Sequence, residues 1–153
     1  MSSRCWTPAS LAAIHAQGIV HRDIKPDNIL VGADKKAKIA DLGLAKQIDE
    51  PELNRLTGTG VVVGTPLYVA PEAIRDPQGI DGKADVYGLG ATLYHAVTGE
   101  TPFSGRNAYE VMEKVVKEDP VPPRTYVPDL PAGLTAFLLW SLTKDPARRP
   151  RDA

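Results

Sequence analysis

Residues 21–30 read His-Arg-Asp-Ile-Lys-Pro-Asp-Asn-Ile-Leu and place a carboxylate (Asp23), an ammonium (Lys25) and an amide (Asn28) within six residues. Thirteen residues beyond Asn28 stands Asp41, in Asp41-Leu42-Gly43. A carboxylate and an amide oxygen suit Mg²⁺, which takes few protein ligands and fills its shell with water and phosphate oxygens. Asp23 is then left as a base that could orient a hydroxyl, and Lys25 can neutralise charge on a transferring phosphoryl group. These are the parts phosphoryl transfer needs, because its catalysis is mainly positioning and electrostatics. Singly, Asp23, Asn28 and Asp41 are also ordinary turn or cap residues. Their combination and spacing carry the reading.

Local elements must bring these groups together. Two short apolar runs, Ile29–Val31 and Ile39–Ala40, flank Gly32-Ala33-Asp34 and predict a small hairpin that returns Asp41 to the side of Asn28. Before them, Thr7 can cap a helix, Pro8 suits its first turn, and Gly18 sits where it would end; Leu11, Ile14 and His15 share one face. From Asp41 to Glu72 no period is sustained, which predicts a long functional loop. Asp81 to Gly99 reads as a buried helix with a Val86, Leu89, Leu93, Val97 stripe. Gly88 and Gly90 weaken that helix by up to ~1 kcal/mol each and suggest close packing of another backbone. Asn107 to Lys117 is a further helix, with Asn107 and Glu110 spaced as a capping box and Glu113–Lys117 as an i,i+4 pair. Five prolines between Pro120 and Pro131 predict an extended connection, and Leu134, Phe137, Leu138 and Leu142 a last amphipathic helix. The fold class expected is α+β, mostly helical with one hairpin.

Composition narrows the partners. The chain has 153 residues, room for one domain, and its 18 Lys+Arg against 19 Asp+Glu argue against a nucleic-acid binder. The single cysteine, Cys5, excludes an internal disulfide and fits a reducing compartment, so a cytoplasmic location is expected. No apolar run approaches ~18 residues, so no membrane segment is expected.

The stretch His21 to Leu30 resembles the H-R-D-x-x-x-x-N catalytic loop of the protein kinases, and Asp41-Leu42-Gly43 resembles their D-F-G motif with Leu42 for Phe. Ala70-Pro71-Glu72 is similar to A-P-E, Asp85-Val86-Tyr87-Gly88-Leu89-Gly90 to the central helix of the C-terminal lobe, and Asp145-Pro146-Ala147-Arg148-Arg149-Pro150 to D-P-x-x-R-P. The pattern, with Gly99-Glu100-Thr101-Pro102-Phe103, looks most like bacterial serine/threonine kinases of the eukaryotic type.

The resemblance implies roles and ligands. Asp23 is the catalytic base and Lys25 contacts the transferred phosphate. Asn28 and Asp41 bind Mg²⁺, Asp41 bridging it to the phosphates of ATP, while Leu30 floors the adenine site. Residues 41–72 form the activation segment; Thr65 selects Ser/Thr protein substrates, and Thr57 or Thr59 is a phosphosite answering Arg22. His21, Arg22, Leu42, Gly43, Glu72, Asp85 and Arg149 are structural, with Arg149 the partner of Glu72 and Asp85 bonded to the catalytic-loop backbone. His15 and His95 are read as helix-face residues.

The resemblance runs from Leu11 through Arg151, leaving 1–10 as a non-matching extension and 11–153 as the C-lobe portion of a kinase domain. No G-x-G-x-x-G-x-V occurs, and the N-lobe that grips ATP from above is expected to be absent. Two readings follow. In one, the chain is part of a serine/threonine kinase whose activity needs an N-lobe or a longer parent chain, and alone it transfers negligible phosphate. In the other, it is a non-catalytic binding module using the docking groove beside the Asn107–Lys117 helix.

Overall fold

The computed structural model describes residues 11–40 and 66–151. Thr7, Pro8, Asp41, Leu42, Gly43, Thr57, Thr59 and Thr65 lie outside the described residues. Among those described, the helices are α1 (Leu11–His15), α2 (Pro71–Arg75), α3 (Gly82–Thr98), α4 (Ala108–Lys117) and α5 (Ala132–Ser141). Strands β1 (Ile29–Val31) and β2 (Ala37–Ile39) pair antiparallel, Ile29 opposite Ile39 and Val31 opposite Ala37. The architecture is α+β and mostly helical.

Helix α3 is the axle of the fold. Its N-cap is Asp81, whose carboxylate accepts from the Lys83 N–H, and it ends at Gly99 in the left-handed region (φ 75°), where a Cβ would be strained. It is buried nearly all round: Tyr87, Ala91 and Tyr94 lie at 0–1 % exposure, deeper than the partly buried Leu89, Leu93 and Val97 of the expected stripe. A central helix packed on several sides has no single apolar face, so a stripe underestimates what it buries.

The glycines of α3 permit this packing. A Cβ on Gly88 would meet the Ile24 Cβ and carbonyl oxygen at 3.1 Å each, and one on Gly90 would meet the Ser141 Cβ at 2.6 Å. Ser141 ends α5, the helix against which α3 packs most extensively. Gly90→Ala should therefore cost about 1–3 kcal/mol by overpacking, despite the better helix propensity of alanine. Urea unfolding followed by circular dichroism checks this; a variant as stable as the parent would show that the two helices separate freely.

The larger core joins α3 to Val111 and Val115 of α4, Leu138 of α5, Leu142, Phe103 and Leu130. Each fully buried aliphatic side chain contributes about 1.5–3 kcal/mol. The proline-rich segment is not simply extended. It holds a 3₁₀ turn at Pro123–Thr125, the Arg124 guanidinium donates twice to the Leu130 carbonyl, and the Tyr94 hydroxyl donates to the Val121 carbonyl at 2.7 Å.

Asn107 caps α4 by accepting from the Glu110 N–H at 2.9 Å. Glu110 reaches back one residue further than a capping box predicts, accepting from the Arg106 N–H and Nε. Those bonds hold its carboxyl down at about 2. Glu113 and Lys117 pair at 2.7 Å.

Candidate active site

A second, smaller core of Leu11, Ile14 and Ile24, with Ile19, Ile39 and Leu89 against it, supports the loop from His21 to Asn28. The loop itself is clamped by one buried carboxylate. Asp85, on the first turn of α3, accepts from the His21 N–H through Oδ2 at 2.7 Å and from the Arg22 N–H through Oδ1 at 2.8 Å. Successive N–H groups converge on it because Arg22 has φ 68°, a left-handed conformation costing about 1–2 kcal/mol in a residue with a Cβ. Hydrogen bonds to a charged acceptor contribute about 1.5–3 kcal/mol each and offset that strain.

Asp85 has a third partner that the sequence reading missed. His15, at the end of α1, donates Nε2–H to Asp85 Oδ2 at 2.8 Å. Seventy positions separate the pair, and no local spacing signals it. Gly82 makes room, since a Cβ there would stand 3.0 Å from the His15 ring. His21 is wholly buried; its Nδ1 accepts from the Asp23 N–H at 3.3 Å, leaving Nε2 to donate to the Ala40 carbonyl at 3.2 Å.

The three groups singled out in the loop come together. Lys25 Nζ lies 3.0 Å from Asp23 Oδ2, both side chains about one-third exposed. Asn28 Nδ2 donates to the Asp23 carbonyl at 2.7 Å and to Asp23 Oδ2 at 3.1 Å. Both bonds use the amide nitrogen, and the amide oxygen is the atom that a hard cation takes. The Asn28 carbonyl accepts from the Ala40 N–H at 2.8 Å, so the hairpin returns the chain beside Asn28 one residue before position 41. Leu30 and Val31 on β1, on alternate faces of the strand, are 55 % and 70 % exposed.

Glu72 and Arg149 meet in a two-pronged ion pair, Nη1 to Oε1 at 2.6 Å and Nη2 to Oε2 at 2.7 Å. His95, read as a plain helix-face residue, lies instead with Nδ1 2.7 Å from the Tyr68 hydroxyl and its ring stacked on the tyrosine. Burial, and secondly the charge of Asp27, raise the Tyr68 phenol, so it keeps its proton and donates.

The sequence profile of the protein kinase domain matches residues 7–151. The chain belongs to the protein kinase family. Among relatives, this kinase chain is 41 % identical over 139 residues to the serine/threonine-protein kinase PknB of Mycobacterium tuberculosis, covering 91 % of this chain and 22 % of PknB. It is 42 % identical over 147 residues to the serine/threonine-protein kinase PknA of the same species, covering 95 % of this chain and 32 % of PknA. It thus spans about a fifth and a third of those two relatives. Among solved structures, the crystal structure of Rad53 1–466 in complex with AMP-PNP matches with a TM-score of 0.69 and 30 % identity, over 91 % of this chain and 33 % of that one.

Proposed function

We propose that the chain is the C-lobe of a serine/threonine protein kinase domain, which moves the γ-phosphoryl group of ATP to a Ser or Thr hydroxyl of a protein. The observation that carries this is the Asp23–Lys25–Asn28 cluster on a loop clamped by Asp85. A module that only binds has no use for that cluster, which favours catalysis over the docking-module reading. Asp23 accepts the proton of the attacking hydroxyl and orients it. Lys25, held at that carboxylate, offsets negative charge on the phosphoryl group in flight. Asn28, by its amide oxygen, and Asp41 would hold Mg²⁺, which when bound neutralises charge on the nucleotide phosphates. The exposed Leu30 offers an apolar face for a purine.

Within this reading residues 41–72 are the activation segment, Thr65 selects Ser/Thr acceptors, and phosphate on Thr57 or Thr59 would pair with Arg22. The Gly-rich loop and lysine that cover ATP come from an N-lobe outside the matched residues 7–151. No described helix is long and apolar enough to cross a membrane. The single cysteine is what favours the cytoplasm.

The test is a chimera carrying residues 11–151 in place of the matching segment of PknB. With Mg-ATP and a basic protein acceptor it should form phosphoserine and phosphothreonine. A folded chimera, established by a cooperative melt, that transfers no phosphate would overturn the proposal.

A further inference from the structure

Helix α5 reads Ala-Gly-Leu-Thr-Ala-Phe-Leu-Leu-Trp-Ser and carries no charged residue. One side of it, with Leu138 and Ser141, is fully buried, Ser141 against Gly90 of α3. On the opposite side Gly133, Ala136 and Trp140 follow one another at spacings of three and four residues, and all three are exposed. Phe137 beside them is half-buried. A surface helix normally turns charged or polar residues outward, and one that is apolar all round belongs inside a protein or against a partner.

The two ends of this face are opposite in shape and in charge. At the C-terminal end the Trp140 ring is 52 % exposed, and its indole N–H donates to the Arg148 carbonyl at 2.6 Å, so the ring is held in place without a partner. At the N-terminal end Gly133 leaves bare backbone, where a Cβ would meet nothing within 4 Å. The exposed Asp129 lies just before that end, and the exposed Arg148 lies beside Trp140 at the other. Asp145, the acidic residue nearest the Trp140 end in sequence, is turned to its own backbone and accepts from the Ala147 N–H.

We propose that this face is an interface between two copies of the chain, joined by an antiparallel α5–α5 contact. A two-fold axis passing between Ala136 and Phe137 lies equally far along the helix from Trp140 and from Gly133. It therefore sets the indole of each copy over the bare backbone of the other, and it brings Arg148 of each copy toward Asp129 of the other. Every contact occurs twice, as an isologous pairing requires. A second copy is the occupant that the face selects, because the bulky end and the open end, and the cation and the anion, stand in mutually complementary order on one surface. Opposed helix dipoles add to the match. A single helix pair makes a small interface with one aromatic anchor per copy, so the dimer is a weak one, with a Kd of about 10–100 µM.

Sedimentation velocity of the whole chain over about 1–500 µM, a range that brackets this Kd, should show a monomer passing into a dimer and no further. Gly133→Leu, which the monomer accommodates because nothing stands within 4 Å of the new Cβ, should raise Kd at least about tenfold and leave the melting temperature equal or higher. Trp140→Lys should weaken pairing to a similar extent. Asp129→Arg and Arg148→Asp should each raise Kd about fivefold, and the chain carrying both should return to within about twofold of the parent, because the pair is restored with its signs exchanged. A parent that stays monomeric at the highest concentration, association that continues past the dimer, a Gly133→Leu chain that pairs as tightly as the parent, or charge reversals that leave Kd unchanged would each overturn the proposal.

Discussion

Arg149→Met is expected to lower the free energy of unfolding by about 3–5 kcal/mol, because it leaves a mostly buried carboxylate without its partner. The Arg149 side chain is wholly buried and Glu72 is 22 % exposed. All five guanidinium N–H groups are used: Nη1 on Glu72 and the Lys83 carbonyl, Nη2 on Glu72 and the Lys144 carbonyl, and Nε on the Thr143 carbonyl. One side chain therefore joins α2, the start of α3 and the segment after α5, with the Tyr87 ring 5.0 Å beneath it. Lysine cannot substitute, since its three donors lack the planar fork. Urea unfolding measures the loss. The double variant Glu72→Met/Arg149→Met should recover at least about 1 kcal/mol of it, because no charge is then left stranded. A single variant within about 1 kcal/mol of the parent would show that the pair contributes little to the fold.

Asp23→Asn, made in the PknB chimera, should reduce kcat by about 10²–10⁴-fold, the usual contribution of a positioned general base. The substitution keeps the shape and one oxygen able to accept from Asn28, but removes the charge facing Lys25 at 3.0 Å. The KM for ATP should change little, because Asp23 is assigned to the acceptor hydroxyl rather than to the nucleotide. The melting temperature should fall by only a few degrees, since the Asp23 side chain is about one-third exposed and its ion pair is partly screened. Retention of more than about a tenth of kcat would move the base to another residue.

Sequence reading was strongest where information is local. The hairpin followed from two apolar runs around Gly32-Ala33-Asp34, and its strands occupy Ile29–Val31 and Ala37–Ile39. The cap at Asn107, the stop at Gly99 and the pair Glu113–Lys117 each depend on residues within one turn of each other. Glycines at 88 and 90 announced a close approach, and Ile24 and Ser141 are what approach. Local pattern was weaker for α3, because a helix surrounded by the core carries no polar face to set its phase.

By itself the sequence determined the order of α1, the hairpin, α3, α4 and α5 (though not the short helix α2 at Pro71–Arg75), the return of the chain to Asn28, and the short-range set of Asp23, Lys25 and Asn28. Chain connectivity alone confines those three groups to one loop. The family resemblance pointed to Asp85 as the group bonded to that loop; only the tertiary structure decided that His15 joins it and where the remaining titratable groups sit. His15 reaches Asp85 across seventy positions, Tyr68 reaches His95 across twenty-seven, and Lys144 settles on Val115 and Phe103. Such partners are chosen by the packing of α3 against its neighbours. A histidine or lysine on a helix face or loop looks the same in sequence whether it meets water or a buried carboxylate, and the fold's choice between them sets what it holds in place.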